Sequence, residues 1–114
     1  MDLGIKNRRI VITGASRGIG AEIARQFSNE GGHLSLIARD RENLESVLEE
    51  IGGGAAGHDY LAIDLRDAGA PTRAVSELIS RHECIDIAVH NVGGGLGIKD
   101  FLAEVNDWLE VWRF

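Results

Sequence analysis

The chain of 114 residues has one cysteine, one proline and one tyrosine, and it has no long apolar run. A lone cysteine, Cys84, can form neither an internal disulfide nor a cysteine metal cluster, which suits a reducing compartment. We expect its side chain to be a small buried apolar group. A membrane span needs about 18 consecutive apolar residues, and a signal peptide needs an apolar run after a basic start. Because neither pattern occurs, we expect a cytoplasmic protein that does not contact membranes.

Positive charge is also scarce, since 12 Lys and Arg stand against 18 Asp and Glu for a net charge of -6. A nucleic-acid surface needs a row of basic side chains to neutralise phosphates, so we exclude general nucleic-acid binding. An anion would instead be met locally, with Arg17 and Arg39 as the candidates. A hydrophobic share of 44% and a charged share of 26% indicate one small globular domain.

Apolar runs alternate with segments of helical periodicity along the whole chain. This alternation predicts βαβ units, a parallel sheet and therefore an α/β fold. In the third helix we expect Val75, Leu78 and Ile79 to face the core. The predicted strands are 10–13, 34–38, 58–63 and 85–89, and the predicted helices are 19–30, 41–51 and 71–82, with a polar lead-in at 1–8 and a last helix starting near Asn106.

The first strand runs directly into a glycine-rich turn and then a helix on which Ile19, Ile23, Ala24 and Phe27 recur at helical spacing. Such a turn can cradle a pyrophosphate, because glycines allow unusual backbone angles, close approach of the ligand and close helix–strand packing. The free N–H groups and positive dipole end of the helix would then face the anion. An ordinary glycine-rich strand–helix turn is the alternative. The residues predicted to bind the ligand here are Gly14, Ser16, Arg17, Gly18, Ile19 and Gly20.

The spacing Thr-Gly-x-x-x-Gly-x-Gly from Thr13 to Gly20 resembles the cofactor loop of the short-chain dehydrogenase/reductase family. His90-Asn91-Val92-Gly93 stands where that family carries Asn-Asn-Ala-Gly, with departures at His90 and Val92. The resemblance implies a Rossmann-type doubly wound sheet with strand order 3-2-1-4 and a dinucleotide cofactor. It covers residues 1–114 as an incomplete NAD(P)-binding domain, truncated relative to the full family domain.

The end of the second strand favours NADP over NAD as the cofactor. NAD-binding domains usually place an acid there for the ribose 2′-hydroxyl, but this strand closes with Ala38 and Arg39. Arg39 offers a planar cation suited to a 2′-phosphate, and Arg17 could reach the same group. Asp40 could offset Arg39 or bind a ribose, so NAD remains possible. Arg39 could also be an ordinary solvated residue.

Three further positions take their roles from the resemblance. Asp64 and the Leu65 main chain would contact the adenine edge, although Asp64 could simply be a turn residue. The Asn91 side-chain amide would tie the fourth strand to neighbouring main chain, and Gly93 would leave room for the nicotinamide ribose. We expect His90 to be a packed histidine without a catalytic role.

The family's catalytic Ser and its Tyr-x-x-x-Lys pair are not found in this sequence. The single tyrosine, Tyr60, has Asp64 four residues later, and the only lysines are Lys6 and Lys99. A tyrosine hydroxyl that exchanges a proton beside a lysine is therefore missing. We expect no catalytic residue in this chain. Trp108 and Trp112 lie four residues apart, and by resemblance they belong to an oligomer interface, which implies a homo-oligomer.

The leading hypothesis is the cofactor-binding portion of an NADP-dependent enzyme. The full-length protein would transfer hydride between NADP(H) and a small carbonyl or secondary alcohol, and a 3-oxoacyl-type substrate is suggested by the resemblance. One alternative is a stand-alone nucleotide-binding or interaction module without redox activity. Another is a methyltransferase that uses S-adenosylmethionine, against which the Ala38-Arg39 pair argues.

Overall fold

The computed structural model describes residues 4–91, so Gly93, Trp108, Trp112 and the helix predicted near Asn106 lie outside the described residues. The described elements follow the predicted order, and their ends differ from the predictions by a few residues at most. They are β1 (Arg9–Thr13), α1 (Gly18–Asn29), β2 (His33–Ala38), α2 (Arg41–Glu50), a short 3-10 helix (Gly54–Ala56), β3 (Asp59–Ala62), α3 (Ala70–His82) and β4 (Ile87–Val89).

All four strands of the described region form one parallel sheet in the order β3-β2-β1-β4. Val11 of β1 pairs with Ser35 of β2 on one side and with Ala88 of β4 on the other. The four inner residues of β2 are fully buried, as expected for a strand between two covered faces. The Rossmann-type arrangement with strand order 3-2-1-4 is confirmed.

Each face of the sheet is covered by its own helices. On one face, Ile10, Ile12, Leu34 and Leu36 pack with buried residues of α1 and α2. The same cluster includes Ile5, which is 6% exposed, so the predicted polar lead-in contributes one residue to the core. On the opposite face, β1 and β2 pack against α3, and the buried members of that cluster are Val11, Ile37, Ala74, Val75 and Leu78.

Two predictions about α3 and its end are wrong. Ile79 is 41% exposed, because the buried stripe of α3 runs through Ala74, Val75 and Leu78 and leaves the next residue at its margin. Cys84 is exposed rather than buried. It lies in the turn after α3, where Glu83 has φ +67, and this turn carries the chain across the surface before β4 begins.

A histidine replaces regular pairing where β3 was predicted to start. The ring Nδ1 of His58 accepts a hydrogen bond from the Leu34 N–H at 3.0 Å. Its Nε2 lies 3.4 Å from the Ser28 hydroxyl, which itself donates to the Ile51 carbonyl. Burial lowers the pKa of His58, so the neutral ring is favoured in the folded protein. The side chain thus satisfies a β2 donor, and β3 begins one residue later.

The amino ends of the strands carry a polar network centred on Asp59. Its carboxylate accepts hydrogen bonds from the Ser35 hydroxyl at 2.5 Å and from His82 Nε2 at 2.7 Å. Arg81 and Arg9 add ion pairs at 3.3 Å and 3.7 Å. Burial opposes ionisation of Asp59, but these bonds outweigh it and hold its pKa below the ordinary value. The network fastens β1, β2 and β3 to the last turn of α3.

We predict that Asp59→Asn destabilises the fold by about 1–3 kcal/mol at pH 7, because a partly buried carboxylate with several charged donors is lost. Urea unfolding of the variant and of an Asp67→Asn control measures the difference. Asp67 is an exposed acid of the turn before α3. An equal small effect of both substitutions would show that the Asp59 network contributes little.

The same pair of proteins tests the pH dependence. Since the folded pKa of Asp59 lies below its ordinary 3.8, its ionised form stabilises the fold above that value. The stability gap between wild type and Asp59→Asn should be complete at neutral pH and should shrink as the pH falls below about 3.8 and through the folded pKa. A gap that stays constant down to pH 2 would contradict this assignment.

Candidate functional site

The turn after β1 brings the chain into contact with the end of β4. Gly14 has φ +63, and a Cβ atom on it would overlap the main-chain oxygen of Asn91. Gly20, on the first turn of α1, is similarly enclosed, because its Cβ would overlap the Gly14 carbonyl and lie 2.8 Å from Asn91 Nδ2. Only glycine fits either position. The two glycines therefore set the close approach of strand, turn and helix.

Gly18 lies in the opposite environment. Its φ is +60, and, apart from its chain neighbours and the α1 backbone, no atom of residues 4–91 lies within 4 Å of the position that a Cβ would take. It begins α1, whose N-cap Arg17 makes no side-chain capping bond and whose first turn contains no acid. The Ala21 N–H bonds the Arg17 carbonyl, so the N–H groups of the residues before it have no partner within the helix. Open space and unsatisfied donors coincide at this helix end.

Ile19 does not join the buried stripe of α1 that its spacing predicts. It is 72% exposed, whereas Ala21 and Ala24 on the same helix are buried. The buried residues of α1 begin at the next position and are Gly20, Ala21 and Ala24, so Ile19 lies on the exposed side of the first turn. An exposed isoleucine beside the open helix end offers an apolar contact to a bound ligand.

Asn91 is fastened to β1 by its main chain. Its N–H donates to the Thr13 hydroxyl at 2.9 Å, and the same hydroxyl lies 3.1 Å from His90 Nδ1. The Asn91 side-chain amide nitrogen lies beside Gly14 and Gly20, and its expected tie to neighbouring main chain stays a prediction. Thr13 is a residue whose role the sequence did not predict. His90 is half-buried and packed as expected, and burial lowers its pKa.

The end of β2 leaves one arginine exposed to solvent. Within residues 4–91, the Arg39 side chain has neither a hydrogen bond nor an ion pair. Its neighbour Asp40 caps α2, accepting from the Asn43 N–H at 3.1 Å and from its side-chain amide at 3.0 Å. Both carboxylate oxygens of Asp40 therefore accept hydrogen bonds from Asn43 at the start of α2, and neither is paired with Arg39. Arg17 is exposed as well, and no described residue bonds its side chain.

Asp64 lies just past β3 and is held by Arg66, another residue whose role the sequence did not predict. Its Oδ1 accepts from the Arg66 N–H and Nε, both at 3.0 Å, and its Oδ2 accepts from Nη2 at 2.8 Å. These bonds lower the Asp64 pKa to about 2, with a smaller contribution from the charge of Arg39. Leu65 packs its side chain toward the α3-side core. Asp64 is therefore ionised at neutral pH and fixed in direction.

These features lie at the carboxyl ends of parallel strands, where open α/β sheets bind ligands. The open space at Gly18 and the free N–H groups at the start of α1 fit a pyrophosphate. The exposed guanidinium of Arg39, after β2, fits a further phosphate. Among residues 4–91, no three His, Cys, Asp or Glu side chains gather into a group that could hold a metal ion. No helix in that range is long and apolar enough to cross a membrane.

Comparison with known proteins identifies the family. The family model for short chain dehydrogenase matches residues 8–112. The chain belongs to the short-chain dehydrogenase family. Membership argues against the S-adenosylmethionine alternative and agrees with the resemblance seen in the glycine turn. The family comprises oxidoreductases that bind NAD(P).

Named relatives share the matched region. The chain is 34% identical over 95 residues to "Dehydrogenase/reductase SDR family member 7B" of Danio rerio, covering 78% of this chain and 31% of that protein. It is 28% identical over 93 residues to a 3-oxoacyl-(acyl-carrier-protein) reductase of Chlamydia pneumoniae, covering 82% of this chain and 38% of that one. The chain thus spans about a third of the length of these curated relatives.

Solved structures of the family superpose on the fold. A 3-oxoacyl (acyl-carrier-protein) reductase from Agrobacterium tumefaciens with NADP bound matches with a TM-score of 0.79 and 28% identity. The match covers 96% of this chain and 47% of that structure. This chain therefore corresponds to about half of the family's structural domain.

We predict that Gly18→Ala weakens dinucleotide binding at least tenfold while destabilising the fold by only about 1 kcal/mol, the cost of a side chain at positive φ. Gly53 is the control for a side chain at positive φ away from the site, because its φ is +64, no other described residue beyond its chain neighbours lies within 4 Å of its Cβ position, and it lies between α2 and β3. Isothermal titration with NADPH and thermal unfolding compare Gly18→Ala with Gly53→Ala. Equal NADPH binding by both variants would exclude the turn at Gly18 as the pyrophosphate site.

Proposed function

We propose that the chain is the NADP(H)-binding portion of a short-chain dehydrogenase/reductase. The observation that carries this proposal is the uncapped N-terminus of α1 under the open space at Gly18. A pyrophosphate there would accept hydrogen bonds from the free N–H groups and lie at the positive end of the helix dipole. Ser16 and the exposed Ile19 would line the same turn.

The choice of NADP rests on the cations at the end of β2 and in the glycine turn. Arg39 follows Ala38, so no acid occupies the position that would bind a ribose 2′-hydroxyl. The guanidinium of Arg39 is exposed, and Asp40 is engaged as a helix cap, so Arg39 can form a bidentate contact with a 2′-phosphate. Arg17 would approach from the glycine turn. NAD would leave both cations in water, so the preference for NADP comes from the contact that only a 2′-phosphate can make.

Asp64 and Leu65 would define the adenine end, and Asn91 the nicotinamide end. An ionised Asp64 can accept the exocyclic N–H of adenine, and its low pKa keeps it an acceptor across the physiological range. Asn91, whose N–H donates to the Thr13 hydroxyl, would hold the end of β4 beside the nicotinamide ribose. Gly93 would continue that edge, but it lies outside the described residues.

The full-length protein would transfer hydride between the nicotinamide and a carbonyl or secondary alcohol. A 3-oxoacyl substrate is suggested by the names of two relatives, each a 3-oxoacyl reductase. We expect the present chain to bind the cofactor without catalysis. Its one tyrosine, Tyr60, donates to Glu45 at 2.8 Å, and this bond raises the tyrosine pKa, opposite to what proton transfer needs.

The alternative of a stand-alone binding module also predicts nucleotide binding, but without hydride transfer in the native protein. NADPH oxidation by the native protein with a panel of small ketones and 3-oxoacyl thioesters distinguishes the two. The predicted cytoplasmic location and homo-oligomer belong to the enzyme hypothesis and stay predictions.

We predict that Arg39→Asp weakens NADPH binding more than tenfold relative to NADH. A charge-assisted contact of about 1.5–3 kcal/mol would be lost with the phosphate, and the new acid could bind the 2′-hydroxyl of NADH. Fluorescence titration of both cofactors gives the ratio. Arg73→Asp is the control for charge alone, since Arg73 is an exposed arginine on α3 that contacts the Ala68 carbonyl. Equal loss of both cofactors would rule out the phosphate role of Arg39.

A further inference from the structure

The arrangement of Asp64, Arg66 and Arg39 assigns a role to a residue outside the glycine turn. We propose that Arg66 is a positioning residue that determines the preference for a 2′-phosphate. By holding Asp64, it leaves Arg39 available to the phosphate. This inference rests on the proposed NADP(H) function and extends it to a residue of the loop after β3.

The hydrogen bonds of Asp64 show how fully Arg66 occupies it. A carboxylate offers about four lone-pair directions. Two lone-pair directions of Oδ1 accept from the Arg66 main-chain N–H and Nε, and one direction of Oδ2 accepts from Nη2. One direction on Oδ2 remains, enough for a single N–H donor such as the exocyclic amine of adenine. It is too little for a second guanidinium fork, so Asp64 cannot form a bidentate pair with Arg39 as well.

Arg39 is the cation that Asp64 would otherwise attract. The Ile63 N–H donates to the Ala38 carbonyl at 2.8 Å, so Asp64 and Arg39 each follow a residue of that contact, and the charge of Arg39 helps to lower the pKa of Asp64. Among the described residues, Arg39 forms no ion pair. If Arg66 were removed, the Asp64 carboxylate would lose its partner and would attract the exposed guanidinium of Arg39. The two would pair, and the phosphate would lose its cation.

Arg66 also neutralises Asp64 toward the ligand. A bare carboxylate beside a 2′-phosphate would repel it, because like charges within a few ångströms disfavour binding. With the fork in place, Asp64 and Arg66 form a pair of zero net charge that keeps one acceptor direction. The site can thus hold the Asp64 carboxylate, which would accept from adenine, close to a 2′-phosphate on the neighbouring ribose.

The test uses two probes that lack the nicotinamide, adenosine 2′,5′-bisphosphate and AMP, titrated calorimetrically into the 114-residue chain. The readout is the ratio of their affinities, in which changes at the adenine cancel. Arg66→Ala should lower the preference for the bisphosphate about tenfold, close to the loss of one charge-assisted contact. Adding Asp64→Asn to Arg66→Ala removes the competing carboxylate and should restore the preference.

Arg25→Ala is the matched control, because it deletes an equally exposed arginine that pairs with Glu22 and Glu50 on the α1–α2 surface. It should leave the ratio unchanged. Equal loss of both probes in Arg66→Ala would mean that Arg66 only supports the loop, and a ratio that Asp64→Asn fails to restore would exclude competition for Arg39. Either result overturns the inference.

Failure of the proposed function has a separate signature. A wild-type chain with no preference for the bisphosphate overturns both the NADP assignment and the role of Arg66. A preference that Arg39→Asp abolishes and Arg66→Ala leaves intact overturns the role of Arg66 alone.

Discussion

The contact between Gly14 and Asn91 is the constraint on which the rest of the site depends. Because the Asn91 carbonyl occupies the space of a Gly14 side chain, the β1 turn can approach β4 only through a glycine. The Thr13 hydroxyl fixes that approach from the strand side, and Gly20 lets α1 follow closely. The helix end consequently projects over the carboxyl edge of the sheet, with Gly18 open to solvent. A phosphate site results from backbone packing, with few side chains involved.

The two ends of the sheet use charge differently. At the amino ends, Asp59 gathers Ser35, His82 and two arginines into a network that is mostly shielded from water. At the carboxyl ends, Arg17 and Arg39 are exposed and have no described partner. A satisfied polar network favours rigidity, whereas an exposed cation costs little to leave unpaired in water and gains on binding an anion. The polar network that stabilises the fold and the cations proposed to bind a phosphate thus lie at opposite ends of the strands.

The sequence predicts the fold well because its apolar periodicities and glycines are local signals. The strand order came from the family resemblance, since periodicity alone does not order strands. What the sequence missed depends on contacts between distant residues, such as Thr13 with Asn91 or His58 with Leu34. The sequence did not predict the exposure of Ile19 and Ile79, because apolar spacing locates the buried face of a helix but not the residues at which burial ends. Asp40 and Arg66 were predictable in principle, since an Asp before a helix is a common cap and an Arg two residues after an Asp can reach it.

A chain of net charge -6 binds a polyanion more readily when the acids near the site are engaged with partners of their own. Exposed charges farther away than about 8–10 Å are screened at physiological ionic strength, so the overall excess of acid matters less than the nearest carboxylates. Among residues 4–91, two acids of the proposed site are engaged in this way: Asp40 caps α2, and Asp64 is held by Arg66. With both engaged, the local field at the end of β2 is set by Arg39. The acceptor needed for adenine and the cation needed for a phosphate therefore coexist, although the whole molecule is acidic.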